Sequence, residues 1–343
     1  MDRKKFIEEV IKDKEIKSKA TGLVVGVKRP LMIWVSTGNY ALDWCISDKL
    51  IGGGLPVGRI VELFGEPSTG KSLLVAKIMG EVQKLGGIAI FDDVEESRDE
   101  GFMKRMGCDV SEEAMITMTS ATVEQHFEVV KKQIDLLREK GFKGPIVVVL
   151  DSLAALSTKH EIESGLDRID LSRAKVIRAA MRLLAGEFAK KDVLYVVNNH
   201  VIEDIGETYR SKFKSRSTPG GGGIKFHASV RIELSVAEVF MNAVGLTVGV
   251  RFKAEVVKSK ISPPFRLCYF DVDFEKGIDP FSGFFDVLVK VGIVKHSGAG
   301  WYLYKDSDKK LREAEVMELV KKEIDEKGSE VFDFGGGCQA SVS

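Results

Sequence analysis

One octapeptide constrains the fold of this chain more than any other stretch. Gly65-Glu66-Pro67-Ser68-Thr69-Gly70-Lys71-Ser72 satisfies G-x-x-x-x-G-K-[ST] at every specified position. The motif works only between a strand and a helix, and both flanks are present. Ile60-Val61-Glu62-Leu63-Phe64 is a short β-type apolar run, and Leu73 to Gln83 has helical spacing. Gly65 and Gly70 let the backbone curl so that successive N–H groups face phosphate oxygens, with the positive end of the new helix behind them. In such a loop Lys71 reaches the β- and γ-phosphates and the Ser72 hydroxyl binds Mg²⁺. Glu66, Pro67, Ser68, Thr69 and Leu73 complete the cradle around the nucleotide.

Composition sets outer limits. The chain has 343 residues, 44% of them hydrophobic, enough for one large α/β core plus a smaller module and incompatible with complete disorder. Its 51 Lys and Arg balance 51 Asp and Glu, so a nucleic-acid surface has to be a local patch. Cys45, Cys108, Cys268 and Cys338 are scattered, with no C-x-x-C pair and no His at ligand spacing. They read as reduced thiols of a cytoplasmic protein without a structural metal. A charged start, Met1 to Lys5, and no run near the ~20 apolar residues of a membrane span indicate a chain neither exported nor membrane-bound.

Between Asp2 and about Ala20, Phe6, Ile7, Val10, Ile11 and Ile16 recur at helical spacing as one narrow apolar stripe. The stripe needs cover, from the chain's own core or from a neighbouring subunit, and pattern alone favours the own core. A linker through Lys28-Arg29-Pro30 follows, and Gly52-Gly53-Gly54-Leu55-Pro56-Val57-Gly58-Arg59 leads into the first core strand. Strand-like runs at Ile88 to Phe91, Met115 to Met118, Ile146 to Leu150 and Leu194 to Val197 alternate with helical patterns. This predicts a mostly parallel sheet covered on both faces. Val230 to Leu234, Val248 to Val257 and Tyr269 to Phe274 follow with hardly a helix between them, an extension built of hairpins. Past Gly277, Phe281 to Val291, Gly298 to Tyr304 and Lys309 to Lys327 form a helix, hairpin and helix pattern, a small appended module. Gly335 to Ser343 has too little apolar content to pack.

Three strand ends carry chemistry. The Ile146 to Leu150 run closes on Asp151-Ser152, an apolar run ending in an acid at a strand's C-terminal edge, the pattern of a carboxylate that supports Mg²⁺; an Asp there could equally cap a helix. Phe91-Asp92-Asp93-Val94-Glu95-Glu96 ends another strand in an acidic cluster, where one carboxylate would orient or deprotonate water. Spacing does not choose among Asp92, Asp93, Glu95 and Glu96. Val197-Asn198-Asn199-His200 brings polar groups to a third strand end, placed to hydrogen-bond a γ-phosphate. Arg210, Lys212, Lys214 and Arg216 then fall on every second residue, so an extended segment aims all four one way, with Tyr209 and Phe213 among them to stack on bases. Alone, this would be a solvated loop; hinged by Gly220 to Gly223 and set directly after a phosphate sensor, it reads as a nucleotide-switched nucleic-acid loop. Lys258 and Lys260 stand i, i+2 at a strand end, an unfavourable pairing unless an anion lies opposite.

From about Val35 to Tyr304 these residues resemble the family of bacterial RecA and phage UvsX-type recombinases. The resemblance is carried by Ser36-Thr37-Gly38, the Gly53 to Glu62 lead-in, Ala154-Ala155-Leu156, Ala180-Met181-Arg182, Ile224-Lys225-Phe226 with Ala228-Ser229-Val230-Arg231, and Ser297-Gly298-Ala299-Gly300-Trp301-Tyr302. It implies that Glu95 is the catalytic glutamate acting with Lys71, that Asp99 contacts adenine, and that Phe102 and Phe274 flank the base. His200 stands at the family's γ-phosphate sensor, a glutamine in RecA and a histidine in the UvsX branch. Lys258 and Lys260 match a pair that crosses the filament interface to the neighbour's γ-phosphate. Glu161 to Lys175 and Val201 to Pro219 map onto two DNA-binding loops. DNA contacts are therefore expected from Lys175, Tyr209, Arg210, Lys212, Phe213, Lys214, Arg216, Gly220, Gly221 and Lys225. The N-terminal helix takes the place of the subunit-docking segment, against the own-core placement that pattern alone favours.

The expected architecture is α/β: a RecA-like P-loop NTPase core with a mostly parallel central sheet (33–278), an N-terminal docking helix and linker (1–32), a small α/β C-terminal module (279–327) and a tail (328–343). The expected activity is that of a DNA-dependent ATPase using ATP and Mg²⁺, which assembles with itself into a filament on single-stranded DNA and exchanges strands with homologous double-stranded DNA. Single-strand-binding and mediator proteins are further partners, and the compartment is the cytoplasm, the host's if the chain is phage-encoded. The alternatives are a recombination mediator or a hexameric helicase-type motor without strand exchange. Such a motor would carry an arginine finger and a helicase module, and neither is found in the sequence.

Overall fold

A computed structural model describes residues 3–14, 32–96, 99–164, 173–201, 218 and 222–332, and the chain divides into two units, 1–33 and 34–343. The first holds the helix Arg3–Lys12 (α1), with Ile7 and Val10 of its apolar stripe exposed. The expected continuation of this helix past residue 14 lies outside the described residues.

The second unit opens with Trp34–Val35 (β1), Tyr40–Ser47 (α2) and Leu55–Pro56 (β2), the two strands pairing antiparallel. Then come Ile60–Gly65 (β3), Lys71–Lys84 (α3), Ile88–Asp93 (β4), Glu100–Arg105 (α4), Met115–Met118 (β5) and Val123–Glu139 (α5). Ile146–Asp151 (β6), Lys159–Ser164 (α6), Arg173–Lys190 (α7), Val193–His200 (β7) and Gly222–His227 (α8) follow. Val230–Met241 (β8), Thr247–Ser259 (β9), Arg266–Asp273 (β10) and Gly277–Ile278 (β11) complete the main sheet.

Among the described residues this sheet has nine strands in the order β11-β10-β9-β8-β3-β7-β6-β4-β5. From β8 to β5 every pairing is parallel, and from β8 outward to β11 every pairing is antiparallel. The change of sense follows from the connections: crossover helices return the chain in the same direction, and short turns reverse it. β3 and β6 are buried along their whole length; β6 accordingly reads as an unbroken apolar run up to Asp151, and β3 as one interrupted only by Glu62. On one face α2 and α3 pack through Leu42, Ile46, Leu74, Ile78 and Met79. On the other, α5 and α7 pack through Phe127, Val130, Ile177, Met181 and Phe188. Gly80 lets α3 sit close to the turn after α4, since a Cβ there would lie 2.2 Å from the Gly107 carbonyl oxygen.

The last segment adds Phe284–Lys290 (α9), Val294–His296 (β12), Tyr302–Tyr304 (β13), Lys310–Leu311 (β14) and Glu313–Lys327 (α10). Its Phe284, Leu288, Val316 and Val320 belong to the same apolar core as α2 and α3. The final helix starts later than the expected Lys309 because Lys310 and Leu311 pair with Leu303 and Tyr302 as a third strand. Gly328–Phe332 continues as a 3-10 turn with Val331 buried, so packed structure extends past the expected boundary at 327. Cys45, Cys108 and Cys268 are buried free thiols, and Cys338 lies outside the described residues. No helix among the described residues is long and apolar enough to cross a membrane.

Candidate active site

Parallel pairing brings the C-terminal ends of β3, β7, β6 and β4 to one edge of the sheet, where α/β folds bind ligands. β3 runs directly into the phosphate loop. Gly70 adopts φ 82° just before α3 starts at Lys71, a left-handed conformation that glycine adopts without a Cβ penalty. Thr69 closes the loop by donating its hydroxyl to the Glu66 carbonyl at 2.8 Å. Glu66, Pro67 and Ser68 are exposed, while the Leu73 side chain packs into the core.

Lys71 is buried, and its Nζ donates to the carbonyl oxygens of Gly65 at 3.1 Å and Glu66 at 2.8 Å. Burial lowers its pKa, against the opposing pull of Asp151, Glu95 and Glu66. The ammonium is thus held inside the loop with little water around it, where a phosphate is its natural partner. The Ser72 hydroxyl donates to Asp151 Oδ2 at 3.2 Å, and Asn198 Nδ2 donates to Asp151 Oδ1 at 2.6 Å. Burial first, and then the charge of Glu95, push Asp151 up to about 6. No three His, Cys, Asp or Glu among the described residues form a cage that could hold a metal by themselves. One hydroxyl beside one carboxylate is instead the sparse hard-oxygen set that suits Mg²⁺ when phosphates complete the shell.

The acidic cluster separates by side. Asp92 turns into the interior, where Oδ2 lies 2.6 Å from His126 Nδ1 and Oδ1 accepts the Ser120 N–H at 2.9 Å; His126 Nε2 lies 2.7 Å from the Tyr195 hydroxyl. That buried row leaves no access for water. Asp93 is also buried, and Glu96 is exposed. Glu95 faces the loop: its Oε1 accepts from the Ser152 hydroxyl at 2.5 Å and lies 3.1 Å from His200 Nε2. Burial raises the Glu95 pKa, but the hydrogen bonds from Ser152 and His200 outweigh it and hold the carboxyl below its ordinary range, ionised. Ser152 has no motif of its own in the sequence; its place next to Asp151 is its only signal.

A cavity of about 410 Å³ beside the loop is lined by Val75, Met79, Phe91, Asp99, Phe102 and Met103, among others. Val75 and Met79 come from one face of α3, a helical spacing that could have announced them. Asp99 also caps α4, its Oδ1 accepting the Phe102 N–H at 2.7 Å. Phe274 is not among the lining residues and is 44% exposed. The turn that carries it adjoins the rim, because a Cβ at Gly277 would lie 3.6 Å from Arg105 O and from Met106.

Among the described residues Lys258 and Lys260 form no ion pair with a carboxylate. Lys258 Nζ donates to the carbonyls of Lys225 and, at 3.1 Å, Phe226, and Lys260 Nζ donates to Phe226 O at 3.0 Å. Both ammonium groups therefore sit on carbonyls at the end of α8. Burial, then Lys260 and Arg231, lower Lys258 to about 8. Lys175 is exposed on α7 and Lys225 half-buried on α8. Tyr209, Arg210, Lys212, Phe213, Lys214, Arg216, Gly220 and Gly221 lie outside the described residues.

The RecA N-terminal domain family matches residues 6–279. The chain is 37% identical over 273 residues to Protein RecA of Ruminococcus albus, an alignment covering 79% of this chain and 64% of that protein. It is 33% identical over 314 residues to Protein RecA of Thermus thermophilus, covering 88% and 87% of the two chains, and 32% identical over 304 residues to Protein RecA of Rippkaea orientalis, covering 85% and 82%. With the family match spanning the whole of the sheet and its nucleotide loop, the chain belongs to the RecA family.

Proposed function

We propose that this chain is an ATP-driven recombinase in which Lys71, Ser72, Asp151, Glu95 and His200 carry the hydrolytic site. RecA proteins are DNA-dependent ATPases that exchange DNA strands, and that is the activity assigned to this chain. The observation that carries the residue-level reading is the Glu95 carboxylate, kept ionised by Ser152 and His200 at the mouth of the phosphate loop. An ionised carboxylate within reach of the γ-phosphate can take a proton from attacking water, which is worth about 10²–10⁴-fold. Ser72 and Asp151 would hold Mg²⁺, which supplies charge neutralisation on the phosphates. Lys71 holds the β- and γ-oxygens, and the cavity edged by Asp99 and Phe102 takes the base, with Phe274 closing over its rim.

His200 is placed to exchange its contact with Glu95 for a γ-phosphate oxygen, and so to register whether that phosphate is present. Lys258 and Lys260 act on the nucleotide of an adjacent subunit in a filament whose docking segment is the N-terminal helix. The segment from Val201 to Pro219, together with Glu161 to Lys175, contacts DNA. Single-stranded DNA is bound first and homologous duplex second, in the cytoplasm. Two measurements on the unaltered protein test this reading together: ATP hydrolysis with and without single-stranded DNA, and joint-molecule formation between a single strand and homologous duplex. Stimulated hydrolysis with joint molecules is the expected result. Stimulated hydrolysis without joint molecules would make the chain a loader or a motor, and no stimulation at all would overturn the assignment.

A further inference from the structure

Glu62 is a carboxylate at the centre of the main sheet with no exposure at all. It lies on the face that carries Ile60, away from the α3 core, and no catalytic role accounts for it. Its Oε1 accepts from Asn199 Nδ2 at 3.0 Å, and its Oε2 accepts from Nε of Arg231, itself buried. Asn199 Oδ1 accepts the His200 backbone N–H at 3.1 Å, and His200 reaches Glu95. On the other side Arg231 pairs in register with Lys258, which together with Lys260 holds the last carbonyls of α8. One polar row therefore crosses four neighbouring strands, β7, β3, β8 and β9: hydrogen bonds run from Glu95 to Arg231, and strand register sets Arg231 beside Lys258, whose charge it repels, at the end of α8.

Such a row is a poor source of stability. A buried ion pair loses in desolvation about what it gains in attraction, and an apolar pair of similar volume often serves the fold equally well. Arg231 makes the point directly, since its Nη2 is buried without a hydrogen-bond partner among the described residues while the guanidinium lies 4.7 Å from the Phe64 ring centroid. What the carboxylate does provide is two acceptor oxygens for two donors. A glutamine has one acceptor oxygen and one donor amide, so it can serve Asn199 or Arg231 but not both.

We propose that Glu62 and Arg231 are positioning residues that couple the phosphate-sensing end of β7 to the Lys258/Lys260 pair and to α8, so that the nucleotide state and the DNA-contacting segment between β7 and α8 respond together. This inference rests on the ATPase reading given above. The test compares the unaltered chain with Glu62→Gln and with the apolar double variant Glu62→Leu/Arg231→Met. Four quantities are measured: the melting curve, the affinity for a non-hydrolysable ATP analogue, and ATPase rates with and without a single-stranded oligonucleotide. Nucleotide affinity should be unchanged, because neither Glu62 nor Arg231 belongs to the phosphate loop or lines the base cavity. The double variant should melt at or near the parent temperature, while the stimulation by DNA should fall about tenfold in both variants, within the range of typical couplings between sites. Parent-like stimulation in a folded double variant would reduce the row to a structural device and overturn the proposal. Should the double variant fail to fold, parent-like stimulation in Glu62→Gln has the same force. If the unaltered chain shows no stimulation, the ATPase reading falls and this inference with it.

Discussion

Replacing Glu95 by Gln separates binding from chemistry at this site. The amide keeps an oxygen that can accept from Ser152, now 2.5 Å away, so the side chain has no reason to leave its place. What disappears is the negative charge and the ability to take a proton. Loss of a positioned base costs about 10²–10⁴ in rate, or about 2.7–5.5 kcal/mol of activation free energy. Nucleotide binding should not suffer. Burial is the main cause of the raised Asp151 pKa and the Glu95 charge the second, so removing that charge brings Asp151 down and favours its ionised, metal-binding form. The assay is a pair of measurements on the same preparation: affinity for a fluorescent ATP analogue, and single-turnover hydrolysis with single-stranded DNA present. Unchanged or tighter binding with turnover down at least about 100-fold is expected. Hydrolysis within a few-fold of the parent would refute the assignment of Glu95, and the same loss arising from Glu96→Gln instead would show that the wrong carboxylate had been chosen.

Lys71→Ala should abolish nucleotide-supported DNA binding, because the loop's carbonyls of Gly65 and Glu66 would then face the phosphates without the cation that bridges them; filter binding with ATP present checks this, and parent-like ATPase would contradict it. Lys258 is charged below about 8 and neutral above it, so DNA-stimulated kcat/KM should decline as pH rises through that value. Lys258→Arg, which stays protonated across the range, should lose this alkaline limb, and an unchanged profile would remove Lys258 from the reaction. Neutralising Arg210, Lys212, Lys214 and Arg216 together should lower the log–log salt slope of single-strand affinity by about 0.7 for each phosphate that no longer meets a cation. An unchanged slope would return that run to an ordinary solvated loop.

Local sequence determined the parts of this protein whose partners lie within a few residues. The phosphate loop is set by glycines and a lysine at fixed offsets between an apolar run and a helical one, and Asp151 is set by the apolar strand it ends. The parallel core and the hairpin extension were likewise legible, because buried strands are mostly apolar and crossover helices have their own period. Strand ends were less so: β4 and β7 run on through Asp93 and His200, so polar residues that read as following the strands belong to them. Spacing left the acidic cluster undivided and the family resemblance singled out Glu95; how its carboxylates part in space is visible only in the tertiary structure. Asp92 is drawn inward by His126 and Tyr195, and Glu95 outward by Ser152 and His200, and neither set of partners is marked by any spacing around the cluster. Glu62 and Arg231 are the extreme case, 169 residues apart in the chain and joined only because β3 and β8 pair. A charge in a strand reads as solvent-facing until both faces of that strand are known to be covered, and the cover comes from helices that the strand's own sequence does not contain.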